Sequence, residues 1–172
     1  MARNQLSKSF SYLATVLFLL APLASAQQVI IFEQYVNDYN GTFGTVFLTS
    51  DPFAMKGWNP EWGWDGEDGG GVNYFVIRFD DIVGNVSGKI PPNSVVMSAV
   101  LMLYITDPGD TASVFDLLKP FDDQADLNTF NGGVPPRPNV DYDPSRISIT
   151  PEPTASENYL EIDLTSSVQK IV

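Results

Sequence analysis

The chain contains no cysteine and no histidine. The first absence excludes disulfides and thiolate chemistry. The second removes the side chain that most often moves protons at neutral pH, and with it the Ser-His-Asp and Cys-His arrangements. Together they exclude the usual zinc sites. Positive charge is also scarce, with nine Lys and Arg against 21 Asp and Glu and a formal net charge of −12. That balance repels phosphate backbones and anionic lipid, so nucleic acid and membrane surfaces are poor partners. No stretch beyond the amino-terminal region shows helical periodicity over three turns, and there is no internal repeat or low-complexity tail. Most hydrolytic chemistry is thereby removed, and binding or structural work is the expectation.

The amino terminus reads as an export signal. Arg3 and Lys8 precede an apolar run over residues 13–23, and Ala24-Ser25-Ala26 forms a small-residue cleavage site. The run is about 11 residues, against the roughly 20 that a membrane-spanning helix needs. Residues 1–26 are therefore expected to be a cleavable signal peptide, and residues 27–172 a single extracellular domain with no membrane association after cleavage. Cleavage removes two cations and no acid, taking the formal charge from −12 to −14. A secreted domain of this size without disulfides must be held by packing, with a structural calcium as the candidate aid.

Residues 29–32, 45–49, 74–79, 95–106, 114–118, 146–150 and 159–164 alternate or run apolar at strand length. They are rich in β-branched and aromatic residues, and Gly, Pro, Asn and Asp separate them. Within 74–79, Phe75, Ile77 and Phe79 are expected on the core face and Tyr74, Val76 and Arg78 on the other. In 95–106 the small pair Ser98-Ala99 divides a lead-in from a longer strand. Apolar residues on both faces of that strand predict a central, doubly buried position. A short helix is expected over 166–171, capped by Thr165 or Ser166. Residues 131–153 hold six of the 13 prolines, which predicts ordered loop with one strand near Ile147. The fold class expected is all-β, an antiparallel, jelly-roll-like β-sandwich.

The chemistry concentrates in residues 58–71, which hold all three tryptophans and five of the 13 glycines. Aromatic rings on a β-scaffold stack on the apolar faces of sugar rings, and neighbouring carboxylates accept hydrogen bonds from the hydroxyls. Trp58, Trp62 and Trp64 beside Asp65, Glu67 and Asp68 are thus the candidate carbohydrate-binding residues. The same Asp65, Glu67 and Asp68 are hard oxygen donors and the candidate calcium ligands. Residues 107–110 and Asp122, Asp123 and Asp126 are further acidic clusters. No segment has the spacing of an EF-hand loop, and Asp107-Pro108-Gly109-Asp110 reads as a turn. A glycosidase needs only two acids, but among 21 nothing marks one pair. No enzyme activity is expected.

Five segments carry a resemblance: Asp38-Tyr39-Asn40-Gly41-Thr42, residues 74–80, Ile90-Pro91-Pro92-Asn93-Ser94, residues 96–104, and Asp163-Leu164-Thr165-Ser166-Ser167-Val168-Gln169. Over residues 36–169 the chain resembles the DNRLRE (disaggregatase-related) domain family, which overlaps a carbohydrate-binding module class. The resemblance implies a jelly-roll-like sandwich in an extracellular or cell-surface protein, in some cases binding polysaccharide. The chain departs from the family's pattern where tryptophans usually follow the central strands; Phe121 and Leu127 stand there. The family also continues past the Asp163–Gln169 segment, so the domain is expected to lack its last strands and expose a sheet edge. The expected function is a non-catalytic module binding polysaccharide or another extracellular protein. The alternatives are a structural or adhesive matrix protein without a small ligand, or an accessory domain of a secreted hydrolase.

Overall fold

The computed structural model describes residues 27–54, 71–105, 111–122, 124–150 and 158–172. The expected signal peptide, the tryptophan-rich segment and the turn at 107–110 lie outside the described residues. Strands in small antiparallel sheets dominate and helices are few, as all-β requires. Among the described residues no helix is long and apolar enough to cross a membrane.

The first sheet pairs β1 (Thr42–Leu48) with β2 (Asn73–Phe79), with Thr45 opposite Val76 and Phe47 opposite Tyr74. Its inner face carries the first core, where Phe47 and Val76 meet Phe121, Ala125, Leu127 and Phe130, with Tyr74 and Leu117 against them. Phe47 stacks on Phe130 at 4.7 Å between centroids and meets Phe121 edge-on at 6.5 Å. Buried Thr45 donates its hydroxyl to the Ala125 carbonyl at 3.3 Å, which satisfies that group in the core.

This reverses the faces expected for β2: Tyr74 and Val76 point to the core, not Phe75, Ile77 and Phe79. Aromatic rings and a carbonyl make the inner face tolerable for the Arg78 cation. Its guanidinium lies 4.9 Å from the Phe43 ring centroid and 5.4 Å from that of Phe121, and it donates to the Phe121 carbonyl. Phe121 and Leu127 are core residues.

Five residues between Ala125 and Gly132 form α1 (Leu127–Asn131), a helix the periodicity did not reveal. Asp126 accepts from the Thr129 N–H at 2.6 Å while the Thr129 hydroxyl accepts from the Asp126 N–H at 3.0 Å. These reciprocal bonds and Gly132 in the left-handed region at φ 66° close both ends of so short a helix.

The second sheet pairs β3 (Val100–Ile105) with β6 (Asn158–Asp163). Leu101, Leu103 and Ile105 on one strand and Leu160 and Ile162 on the other share its inner face with Val114 and Leu164. A third, minimal sheet pairs β4 (Ser113–Val114) with β5 (Ser148–Ile149), near the strand expected at Ile147. The carboxy-terminal helix α2 (Thr165–Ile171) starts one residue earlier than expected, and Leu164 rather than Thr165 or Ser166 is its cap. Thr165 instead accepts from the Ala99 N–H at 3.0 Å, and Gln169 bonds the Val96 N–H and the Ser94 carbonyl at 2.8 and 3.1 Å. Helix α2 thereby fastens residues 94–99, the lead-in to β3.

Two further expectations are corrected. Residues 29–32 form no strand; Phe32 packs edge-on against Tyr39 at 5.3 Å, above a turn with Tyr35, Asn37 and Asp38 at positive φ. Apolar composition cannot substitute for a missing ladder partner. Nor is β3 buried on both faces. Val100, Met102 and Tyr104 are about half exposed, and among the described residues β6 is its one ladder partner.

The two faces of β3 and the stacked phenylalanines give a direct stability contrast. Phe47→Ala is expected to lower the unfolding free energy by about 3–5 kcal/mol, and Val100→Ala by less than about 0.5 kcal/mol, in urea denaturation.

Candidate binding face

Trp58, Trp62, Trp64, Asp65, Glu67 and Asp68, expected to bind carbohydrate or calcium, lie outside the described residues. Among the described residues, exposed aromatic and acidic side chains come together on the outer face of the β3–β6 sheet. Strand alternation puts Val100, Met102 and Tyr104 on that face from β3, and Tyr159, Glu161 and Asp163 from β6. The register sets Val100 opposite Asp163, Met102 opposite Glu161 and Tyr104 opposite Tyr159. A one-residue slip would turn Leu160 and Ile162 to solvent, so the inner core enforces this pairing.

Tyr104 and Tyr159 are 54% and 60% exposed, and their rings meet edge to face at 5.3 Å with 67° between planes. Each ring supports the other's orientation and leaves a π-face open. Along the strands from this pair lie the Met102 thioether and the carboxylates of Glu161 and Asp163. Hydrogen bonds from Thr165, its hydroxyl first and its N–H next, hold the Asp163 carboxyl below the usual carboxylate range. Asp163 is therefore an anion that accepts and does not donate. The face presents apolar ring surface, a polarizable sulfur and two acceptor-rich carboxylates on a rigid ladder. Such a set binds polyhydroxylated ligands and has no nucleophile–base pair.

A concave alternative among the described residues is two adjoining shallow hollows of about 260 and 340 Å³ that share Lys119, Pro120 and Phe121. Their cations are committed inward. Arg78 is within 2.8 Å of Asp80 in an ion pair that is not an aligned hydrogen bond. Lys119 donates to the Phe130 carbonyl and sits 4.8 Å from the Phe130 ring centroid. The lining includes one acid, Asp122, and no pair of carboxylates.

Of the remaining acids named from the sequence, Asp122 and Asp126 have structural partners. Asp126 caps α1, and its hydrogen bonds from Thr129 lower its pKa. Asp122 closes a turn by accepting the Gln124 N–H at 3.0 Å, and Asp123 lies outside the described residues. Among the described residues no group of three or more acids has metal-binding geometry. Sequence reasoning missed Tyr104, Tyr159, Glu161 and Asp163 as a group. The signal was present: alternation in 159–163 marks one polar face, and pairing that face with Tyr104 requires the register.

Asp141 is fully buried. Its Oδ2 accepts from the Arg137 N–H and Nε at 2.8 and 3.0 Å, and its Oδ1 has no partner among the described residues. The Arg137 side-chain bond leads the causes that hold its pKa below 3.8, outweighing desolvation. A pKa lowered in the folded state stabilises above the unfolded value and ceases to do so as pH falls through the folded value. Asp141→Asn is therefore expected to unfold at lower urea concentration than wild type at pH 7, with the difference closing as pH drops below 3.8. Unfolding midpoints measured across that range check it.

Compared with known proteins, the chain matches no family model, no curated protein and no solved structure.

Proposed function

We propose that the chain is a secreted, non-catalytic module of jelly-roll-like β-sandwich type that binds polysaccharide as part of an extracellular or cell-surface protein. The observation that carries this reading is the exposed Tyr104–Tyr159 pair, flanked on the same face by Glu161 and Asp163. Sugar rings offer C–H faces to such rings and hydroxyls to such carboxylates. The position on a ladder matters as much as the residue types, because a pre-ordered platform loses little entropy on binding. The amino-terminal signal and the resemblance to the DNRLRE family support extracellular placement. Trp58, Trp62 and Trp64, with Asp65, Glu67 and Asp68, are proposed as further contacts, and calcium as a structural ligand of those acids.

Retention on insoluble polysaccharides and a glycan array, with and without chelator, tests this reading. Wild type is expected to be retained on at least one polymer. Tyr104→Ala/Tyr159→Ala should weaken retention about tenfold, since each aromatic contact contributes about 0.5–1.5 kcal/mol. Trp62→Ala/Trp64→Ala measures the share of the tryptophan-rich segment. No retention of wild type on any polymer overturns the function, and undiminished retention of the double tyrosine variant overturns this face as its site.

A further inference from the structure

The edge of β3 is a separate feature from its face. The Leu164 N–H donates to the Ala99 carbonyl at 2.8 Å, and Ala99 continues the register that sets Val100 opposite Asp163. In an antiparallel ladder the residues that exchange hydrogen bonds recur at every second position. The N–H and C=O groups of Leu101, Leu103 and Ile105 therefore point at β6, and those of Val100, Met102 and Tyr104 point away from it. On that outward side none of the three has a hydrogen-bond partner among the described residues.

Proteins blunt such edges with charge, proline, a bulge or a covering segment. β3 reads Val-Leu-Met-Leu-Tyr-Ile, with no charge, proline or glycine, in a chain that has 30 charged residues as nine cations and 21 acids. Three outward residues evenly spaced about Met102 also make the edge complementary to itself under a two-fold rotation.

We propose that β3 pairs edge to edge with β3 of a second copy of this chain, antiparallel and centred on Met102. The pairing sets Met102 opposite Met102 and Val100 opposite Tyr104 of the second copy. It forms about six backbone hydrogen bonds and a four-stranded sheet in the order β6-β3-β3-β6. Charge distribution favours this partner and this geometry. The uncharged strands meet at the centre, while Glu161 and Asp163 lie on the outer strands. The two β6 strands are three strand spacings apart, about 14 Å, beyond the screening length of about 8 Å at physiological salt. Stacking the two outer faces instead would press these carboxylates together. The edge uses backbone groups and the sugar-binding face uses side chains, so neither reading depends on the other. Pairing would place two tyrosine pairs on one continuous sheet.

The test is the molar mass of the purified protein by light scattering and sedimentation across concentration and salt, with three variants. Wild type is expected to double in mass with rising concentration, and more readily at physiological than at low salt. Because the chain has no cysteine, Met102→Cys places one thiol at the proposed axis. Directly opposed strand residues have Cα atoms about 5.5 Å apart, within disulfide reach, so this variant should oxidise to a covalent dimer. Glu161→Cys, on the outer strand, should stay monomeric because about 14 Å is out of reach. Met102→Lys faces Glu161 within its own sheet and keeps the fold, but opposes like charges across the axis. It should move the dimer midpoint to at least about tenfold higher concentration at an unchanged circular dichroism spectrum. Wild type that is monomeric at every concentration and salt, or Glu161→Cys cross-linking as readily as Met102→Cys, would overturn the proposal. The first outcome includes the case in which the edge receives a strand from a different protein.

Discussion

The β3–β6 ladder joins a strand without charge to one whose outward residues are aromatic and acidic. Its inward residues leave little choice of register. Leu101, Leu103 and Ile105 must meet Leu160 and Ile162, because turning either set outward exposes the second core. Once that is satisfied, the outward positions are determined: Tyr104 beside Tyr159, Met102 beside Glu161, Val100 beside Asp163. Which side chains and which backbone groups of β3 point away from β6 and its core both follow from this one register. Helix α2 reinforces it from the side by fastening residues 94–99 with Thr165 and Gln169.

A chain without disulfides needs other cross-links between distant segments, and here they are bonds between side chains and backbone. Thr45 reaches the Ala125 carbonyl, Arg78 the Phe121 carbonyl, and Lys119 the Phe130 carbonyl. Lys170 pairs with Asp116 at 2.6 Å and joins α2 to the loop after β4. Scarce cations are thereby used internally, which leaves Arg78 and Lys119 at the shallow hollows near Phe121 engaged with protein groups. The acids divide in the same way. Asp126 and Asp141 hold local structure through bonds that lower their pKa values, whereas Glu161 and Asp163 remain on the exposed face.

Strand-length alternation identified residues 74–79 and 159–164 because period two is a local property. What alternation does not contain is the partner of each strand. Residues 29–32 have strand composition, yet they find no ladder and end in the turn above Tyr39. β3 is apolar on both faces and reads as central, yet among the described residues β6 is its one ladder partner, and Val100, Met102 and Tyr104 stay about half exposed. The faces of β2 differ from the expected ones because Phe43 and Phe121 flank Arg78, an arrangement between strand and loop that alternation within residues 74–79 does not contain. The short helix α1 was hidden for a similar reason: five residues are too few for periodicity, and its reciprocal Asp126–Thr129 cap is its main signature. Of the candidate site, the residue types were legible as exposed aromatics with acids, but the tyrosine pair depends on a register between segments over 50 residues apart.

Residue-resolved hydrogen exchange of the six β3 amides in dilute protein tests the central claim most directly. If β3 is an edge strand held only by β6, the amides of Leu101, Leu103 and Ile105 are protected and those of Val100, Met102 and Tyr104 exchange rapidly. Protection of all six in dilute solution would mean that a second strand already covers that edge, and would contradict both the open ladder and what has been built on it.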